Sequence, residues 1–82
     1  MTSNERKLRD VLAVMLQASS EEISDATEMD VVEGWDSLKH LKIVLALEEA
    51  FEVSFDEEIA LEITSLPKIR SALSELGVSF GP

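Results

Sequence analysis

The sequence predicts an all-α fold, a four-helix bundle of three longer helices and one short third helix, and three observations carry that expectation. Apolar residues recur at helical spacing at both ends of the chain, as Leu8, Val11, Leu12 and Met15 and again as Leu66, Ile69, Leu73 and Leu76. Nowhere do apolar and polar residues alternate in the manner of a strand. Start and stop residues bracket the periodic segments: Asp36-Ser37, Asp56 and Ser65 at the beginnings, Gly77 at the end. Eighty-two residues bury only about two-thirds of their unfolded surface, so the expectation is a single domain over residues 1–82 with a modest core. Its helical part spans about residues 4–76, and residues 77–82 are expected to be a flexible tail.

The first helix is predicted from Ser3 to Gln17, with Thr2 and Glu5 spaced as a capping box. From Ala18 to Asp36 the periodicity is lost. So long a connection needs anchors, and Ile23, Met29, Val31 and Val32 are the side chains available to pin it, with room for a short helical turn. The second helix is predicted from Ser37 to Phe51, and at about 100° per residue it separates two apolar stripes. Ile43, Val44, Leu47, Ala50 and Phe51 share one face. Leu38, Leu41 and Leu45 share another, bordered by Glu48, Glu49 and Glu52. Either this helix is buried more deeply than average, or the second stripe stays exposed as a docking surface; its acidic borders favour docking. Asp56-Glu57-Glu58 suits the first turn of a short third helix ending by Glu62. Ser65 caps a fourth, which accepts Pro67 in its first turn and stops at Gly77.

Composition removes several classes of function. A chain without cysteine has no disulfide scaffold, thiolate metal site or cysteine nucleophile, and one His makes a zinc site implausible. No apolar run approaches the ~20 residues of a membrane span, and Met1 to Lys7 lacks the apolar segment of a secretory signal, so a cytoplasmic protein is expected. The net charge is −10, and between Glu21 and Glu62 fourteen acidic residues face only Lys39 and Lys42. Nucleic acid and anionic membrane are therefore poor partners, and basic protein surfaces better ones.

Asp36-Ser37-Leu38 places a hydroxyl at the start of the second helix, where first-turn N–H groups lack acceptors and the dipole is positive, a setting that suits a covalently attached phosphate. The tripeptide alone reads as an ordinary helix cap. Its surroundings say more. Gly34-Trp35-Asp36-Ser37-Leu38, followed by Leu41-Lys42-Ile43-Val44-Leu45-Ala46-Leu47-Glu48-Glu49-Ala50-Phe51, closely resembles the acyl carrier protein family around its phosphopantetheine-bearing serine. Phe55-Asp56-Glu57-Glu58 and Ile63-Thr64-Ser65 occur where that family has its short third helix and the start of its last, so the resemblance covers roughly residues 4–76.

The resemblance implies an acyl-carrier-protein-like fold in which Ser37 is the attachment point of 4′-phosphopantetheine, added from coenzyme A by a phosphopantetheinyl transferase using magnesium. It implies a non-catalytic carrier, expected to be a monomer, that holds acyl or related intermediates as thioesters and presents them to acyl-loading and acyl-processing enzymes. Asp36, Leu38, Leu41, Leu45, Glu48 and Glu49 are the candidate partner-binding residues, and Val44, Leu47, Ile63 and Ile69 the candidate lining of an acyl pocket between the second and fourth helices. Lys39, His40 and Lys42 depart from the acidic surroundings usual in fatty-acid carriers, and Trp35 precedes the motif. That pattern looks more like carriers of specialised pathways, polyketide-like, aminoacyl or surface-polymer biosynthesis among them. An aminoacyl or peptidyl carrier stays open as an alternative.

Three rival readings use the same residues. Asp36, Ser37 and His40 supply the residue types of a serine hydrolase, but Trp35 and Lys39 stand where a nucleophile elbow needs small residues. Asp25 to Asp36 has the length of a calcium loop, with Asp30 where the glycine belongs and Asp36 where a bidentate Glu belongs. An acidic helical adaptor requires only that Ser37 be a cap. For Trp35 the reading is a packing role, a hydrophobic staple against the first turns of the second helix, and for His40 a place at the helix edge near a phosphate.

Overall fold

A computed structural model describes residues 3–80, and its helices are α1 (Ser3–Leu16), α2 (Ser37–Phe51), α3 (Glu57–Glu62) and α4 (Leu66–Glu75). The predicted architecture of three longer helices and one short third helix is the one observed. Leu8 and Leu12 of α1, Ile43 and Leu47 of α2, and Leu66, Ile69 and Leu73 of α4 are fully buried and form the centre of one core. Val11 and Met15 sit at its margin. Leu76, expected on the buried face of α4, is instead 47% exposed. The helix has ended by then, so the 3.6-residue period no longer carries the side chain inward.

Each long helix ends in a left-handed residue: Gln17 (φ 56°) after α1, Glu52 (φ 55°) after α2 and Gly77 (φ 97°) after α4. The reversed turn lets the next N–H groups reach orphan carbonyls, as Ala18 N–H does to Ala13 O, Val53 N–H to Glu48 O and Val78 N–H to Leu73 O. After Gly77 the chain, as far as it is described, runs back along the core. Val78 and Phe80 pack against the core, the Phe80 ring lies 6.3 Å from that of Phe51, and the Asn4 amide donates to Ser79 O. Such contacts take apolar surface out of water. Gly81, Pro82 and Thr2, with its half of the expected capping box, lie outside the described residues.

The long connection before α2 is held by polar bonds as much as by apolar anchors. It contains one 3-10 turn, Ser20–Glu22, whose Glu22 carboxylate accepts from Ser19 N–H and Oγ–H. Ile23 and Trp35 are buried, Met29 and Val32 half-buried. Val31 was expected among the pins but is 69% exposed, since its neighbour Val32 already takes the inward direction. The segment also pairs with the α3–α4 connection: Met29 N–H donates to Thr64 O and Leu66 N–H to Thr27 O, a single antiparallel bridge around Glu28 and Ser65. The second bond satisfies an N–H at the start of α4 that has no acceptor within its own helix.

Glu5 closes the bundle at the other side. Its carboxylate accepts from Arg9 Nε at 2.7 Å and from Arg70 Nε and Nη2 at 2.7 and 2.9 Å, while Arg70 also reaches Asp25 and Arg9 reaches Ile23 O. One α1 carboxylate thereby joins α4 to the long connection. The Arg70 guanidinium is the main reason that the Glu5 carboxyl lies at about 2, well below the usual 4.5.

Candidate functional site

Ser37 is the first residue of α2, and its side chain is exposed. Asp36 immediately before it is the N-cap, with extended backbone, and its Oδ1 accepts from Lys39 N–H at 2.8 Å. The next backbone bond, His40 N–H to Asp36 O at 2.8 Å, closes the first turn. The N–H groups of Ser37 and Leu38 come too early in α2 to have acceptors within the helix.

Leu38, Leu41 and Leu45 are 63, 58 and 58% exposed, so the second apolar stripe lies on the surface and begins beside Ser37. Leu61 of α3, 71% exposed, was missed by sequence reasoning. Its signal was available: Ile59 and Ile63, four residues apart, take the inward face and leave Leu61 on the opposite one. The three acids bordering the stripe separate in role. Glu49 and Glu52 are exposed, whereas Glu48 is half-buried and accepts from Phe55 N–H at 2.8 Å, tying the α2–α3 connection to α2.

His40 does not lie at an open helix edge. It is buried, its Nδ1 receives the Trp35 indole N–H at 3.0 Å, and its Nε2 lies 2.7 Å from Ala60 O on α3. The correction has a simple cause: the position four residues after the cap faces back over the residue preceding it, and Trp35 occupies that place. The expected staple is thus a ring stack, with centroids 6.0 Å apart, that also carries a hydrogen bond. Both imidazole nitrogens are committed, so His40 is not placed to act as a base toward Ser37, and the hydrolase reading loses its histidine. Among the described residues no three His, Asp or Glu side chains converge as metal ligands, and no helix is long and apolar enough to cross a membrane.

Val44, Leu47, Ile63 and Ile69 are all buried, at 6, 0, 3 and 0% exposure. Only Ile63 of the four also lines the groove of about 610 Å³ that runs between α3 and α4, together with Ile59, Leu61 and Pro67. The structure therefore gathers the four residues in the core and not around that groove.

The family model described as the phosphopantetheine attachment site matches residues 6–73, from the first turns of α1 to the last of α4. Domains of this family are the site of covalent 4′-phosphopantetheine attachment; they are generally non-catalytic, are modified by a phosphopantetheinyl transferase and interact with biosynthetic enzymes. A match over most of the chain, on a small helical bundle that opens its second long helix with Asp36-Ser37-Leu38, shows that the chain belongs to the phosphopantetheine-attachment family of acyl-carrier-type proteins.

Proposed function

We propose that Ser37 carries the 4′-phosphopantetheine and that the chain, as a single monomeric carrier domain of the cytoplasm, presents acyl or related intermediates to enzymes of a specialised biosynthetic pathway. The observation that carries this reading is an exposed serine hydroxyl at the first position of α2 with the capping duty already taken by Asp36. A serine at a helix start is ordinarily the cap itself. Here its hydroxyl is left for chemistry.

The surroundings fit a phosphodiester. First-turn N–H groups and the positive end of the α2 dipole favour an anion, and Lys39 and Lys42 offset part of the acidic charge of the chain. When bound, the arm supplies a terminal thiol that holds cargo as a thioester, chemistry that a chain without cysteine does not have in its own side chains. The protein's residues display and present: Asp36 holds the first turn, Leu38, Leu41 and Leu45 offer apolar contact to a partner, and Glu49 and Glu52 steer a basic surface toward it. The pathway assignment rests on Trp35, Lys39 and His40, which give the motif a mixed and partly buried character.

Incubation with coenzyme A, magnesium and a broad-specificity transferase, read by intact mass, tests the attachment site. The wild type is expected to gain one arm and Ser37→Ala none, with a stability change below about 1 kcal/mol because Asp36 still caps α2. Modification of Ser37→Ala, or refusal of the wild type by several transferases, overturns the reading.

A further inference from the structure

The Trp35–His40–Ala60 chain links three segments that meet at the Ser37 end of α2: the connection before it, its first turns, and α3. An indole N–H can only donate, so Nδ1 of His40 must accept, and in the neutral ring the proton then sits on Nε2, which donates to Ala60 O. Ala60 O is free to accept because the Thr64 N–H, its usual helical partner, turns to Glu62 O instead. Every polar atom of the clasp is satisfied in one tautomer.

The helix that it holds has little else of its own. Six residues are far below the length at which a helix is stable by itself, and none of the six is fully buried. Ile59 and Ala60 pack on the core only in part. Polar ties to α2 stand at both ends of α3, Glu48 to Phe55 N–H before its first turn and His40 to Ala60 O in its last. We propose that His40 is a positioning residue, which sets α3 and its exposed Leu61 at a defined place relative to Ser37, so that partner enzymes whose footprint spans both meet one preformed surface. The functional half of this inference rests on Ser37 being the attachment residue; the structural half does not.

Two substitutions divide the clasp. His40→Asn keeps an acceptor near the Nδ1 position and loses the reach to Ala60, whereas His40→Gln keeps a donor near the Nε2 position and leaves the indole without its acceptor. In ¹⁵N-labelled full-length protein, His40→Asn should hold the indole resonance of the single tryptophan and shift the α3 amides. His40→Gln should do the reverse. Loading by the transferase should follow α3: KM for the carrier rises about three- to tenfold in His40→Asn with kcat unchanged, the size of one lost hydrogen bond, and stays near wild type in His40→Gln. Should either variant fail to fold, Trp35→Phe keeps an aromatic ring beside His40 and removes the indole donor; Ala60 O still accepts from Nε2–H, so the tautomer should stay fixed while the Nδ1 ¹⁵N resonance alone moves as it loses its donor. Unmoved α3 amides in His40→Asn, equal KM changes in both variants, or an unmoved Nδ1 resonance in Trp35→Phe overturns the clasp. Shifted α3 amides with an unchanged KM overturn its part in partner recognition. A wild type that no transferase modifies defeats the Ser37 reading, and the amide and imidazole shifts still decide the clasp.

Discussion

Single residues at the ends of helices set how much of this small fold is strained and how much is useful. Glu52 ends α2 with φ 55° and ψ 49°, a conformation that costs a residue with a Cβ about 1 kcal/mol relative to glycine, while Gly77 holds the equivalent place after α4 without that cost. Glu52→Gly is therefore expected to stabilise the protein by about 0.5–1 kcal/mol, part of the gain being lost to the freer unfolded chain, and to raise the thermal midpoint by a few degrees. A fall in the midpoint would mean that the Glu52 side chain makes a stabilising contact that outweighs the relief. Glu48 shows the opposite economy. Read from sequence as one more border acid, it spends its carboxylate on Phe55 N–H, so Glu48→Lys should cost about 1–2 kcal/mol in denaturant unfolding, whereas Glu49→Lys should be nearly neutral.

At the scale of elements, α2 has two jobs on two faces. Ile43, Val44 and Leu47 close the core, and Leu38, Leu41 and Leu45 remain at the surface. Leu45→Asp should leave the free domain folded, with a cost below about 1 kcal/mol from helix propensity, yet weaken binding to a partner enzyme at least tenfold. Glu49→Lys should leave the bound complex largely intact while slowing association and flattening its dependence on salt. Surface plasmon resonance at two ionic strengths separates the effects; equal losses in association and dissociation for both variants would argue against a division between apolar contact and charge steering. α3 illustrates the reverse dependence. Its sequence caps it well, with Asp56 accepting from Ile59 N–H, but its place against α2 comes from Glu48 and His40, residues of another helix.

The whole molecule is drawn together at two places, the apolar core and the Glu5 cluster. Because the Glu5 carboxyl is held at about 2 in the folded protein and near 4.5 when free, the cluster contributes its stability above the unfolded value and loses it as pH falls from about 5 toward 2, a contribution of at most about 3 kcal/mol. Glu5→Gln should therefore be less stable than wild type at pH 7, and the difference should shrink as pH falls from about 5 and close only below about pH 2. A constant difference down to acid pH would show that packing, not the charge on Glu5, holds α4 to α1. The core sets a second test. Val44, Leu47, Ile63 and Ile69 are buried together, so an alkyl cargo reaching them must part closely packed side chains. If cargo withdraws there, the thermal midpoint of loaded protein rises with alkyl length; a flat series keeps cargo outside and favours polar aminoacyl or hydroxyacyl groups.

Much of this protein was written in local sequence. The span of α2 from Ser37 to Phe51, the caps Asp36 and Ser65 and the exposed Leu38–Leu41–Leu45 stripe follow from periodicity and from orphan N–H groups seeking a nearby oxygen, effects that act within a few residues. The resemblance read from Gly34 to Phe51 also named the family that the match over residues 6–73 shows. What sequence spacing did not reveal was every bond made across the chain. Glu5 meets Arg70 sixty-five positions away, His40 meets Ala60 across twenty, Thr27 caps the start of α4, and Phe80 turns back onto Phe51. A polar side chain chooses its partner only after the apolar faces have packed and brought distant groups within reach, because a hydrogen bond acts over about 3 Å and carries no periodic trace in the sequence.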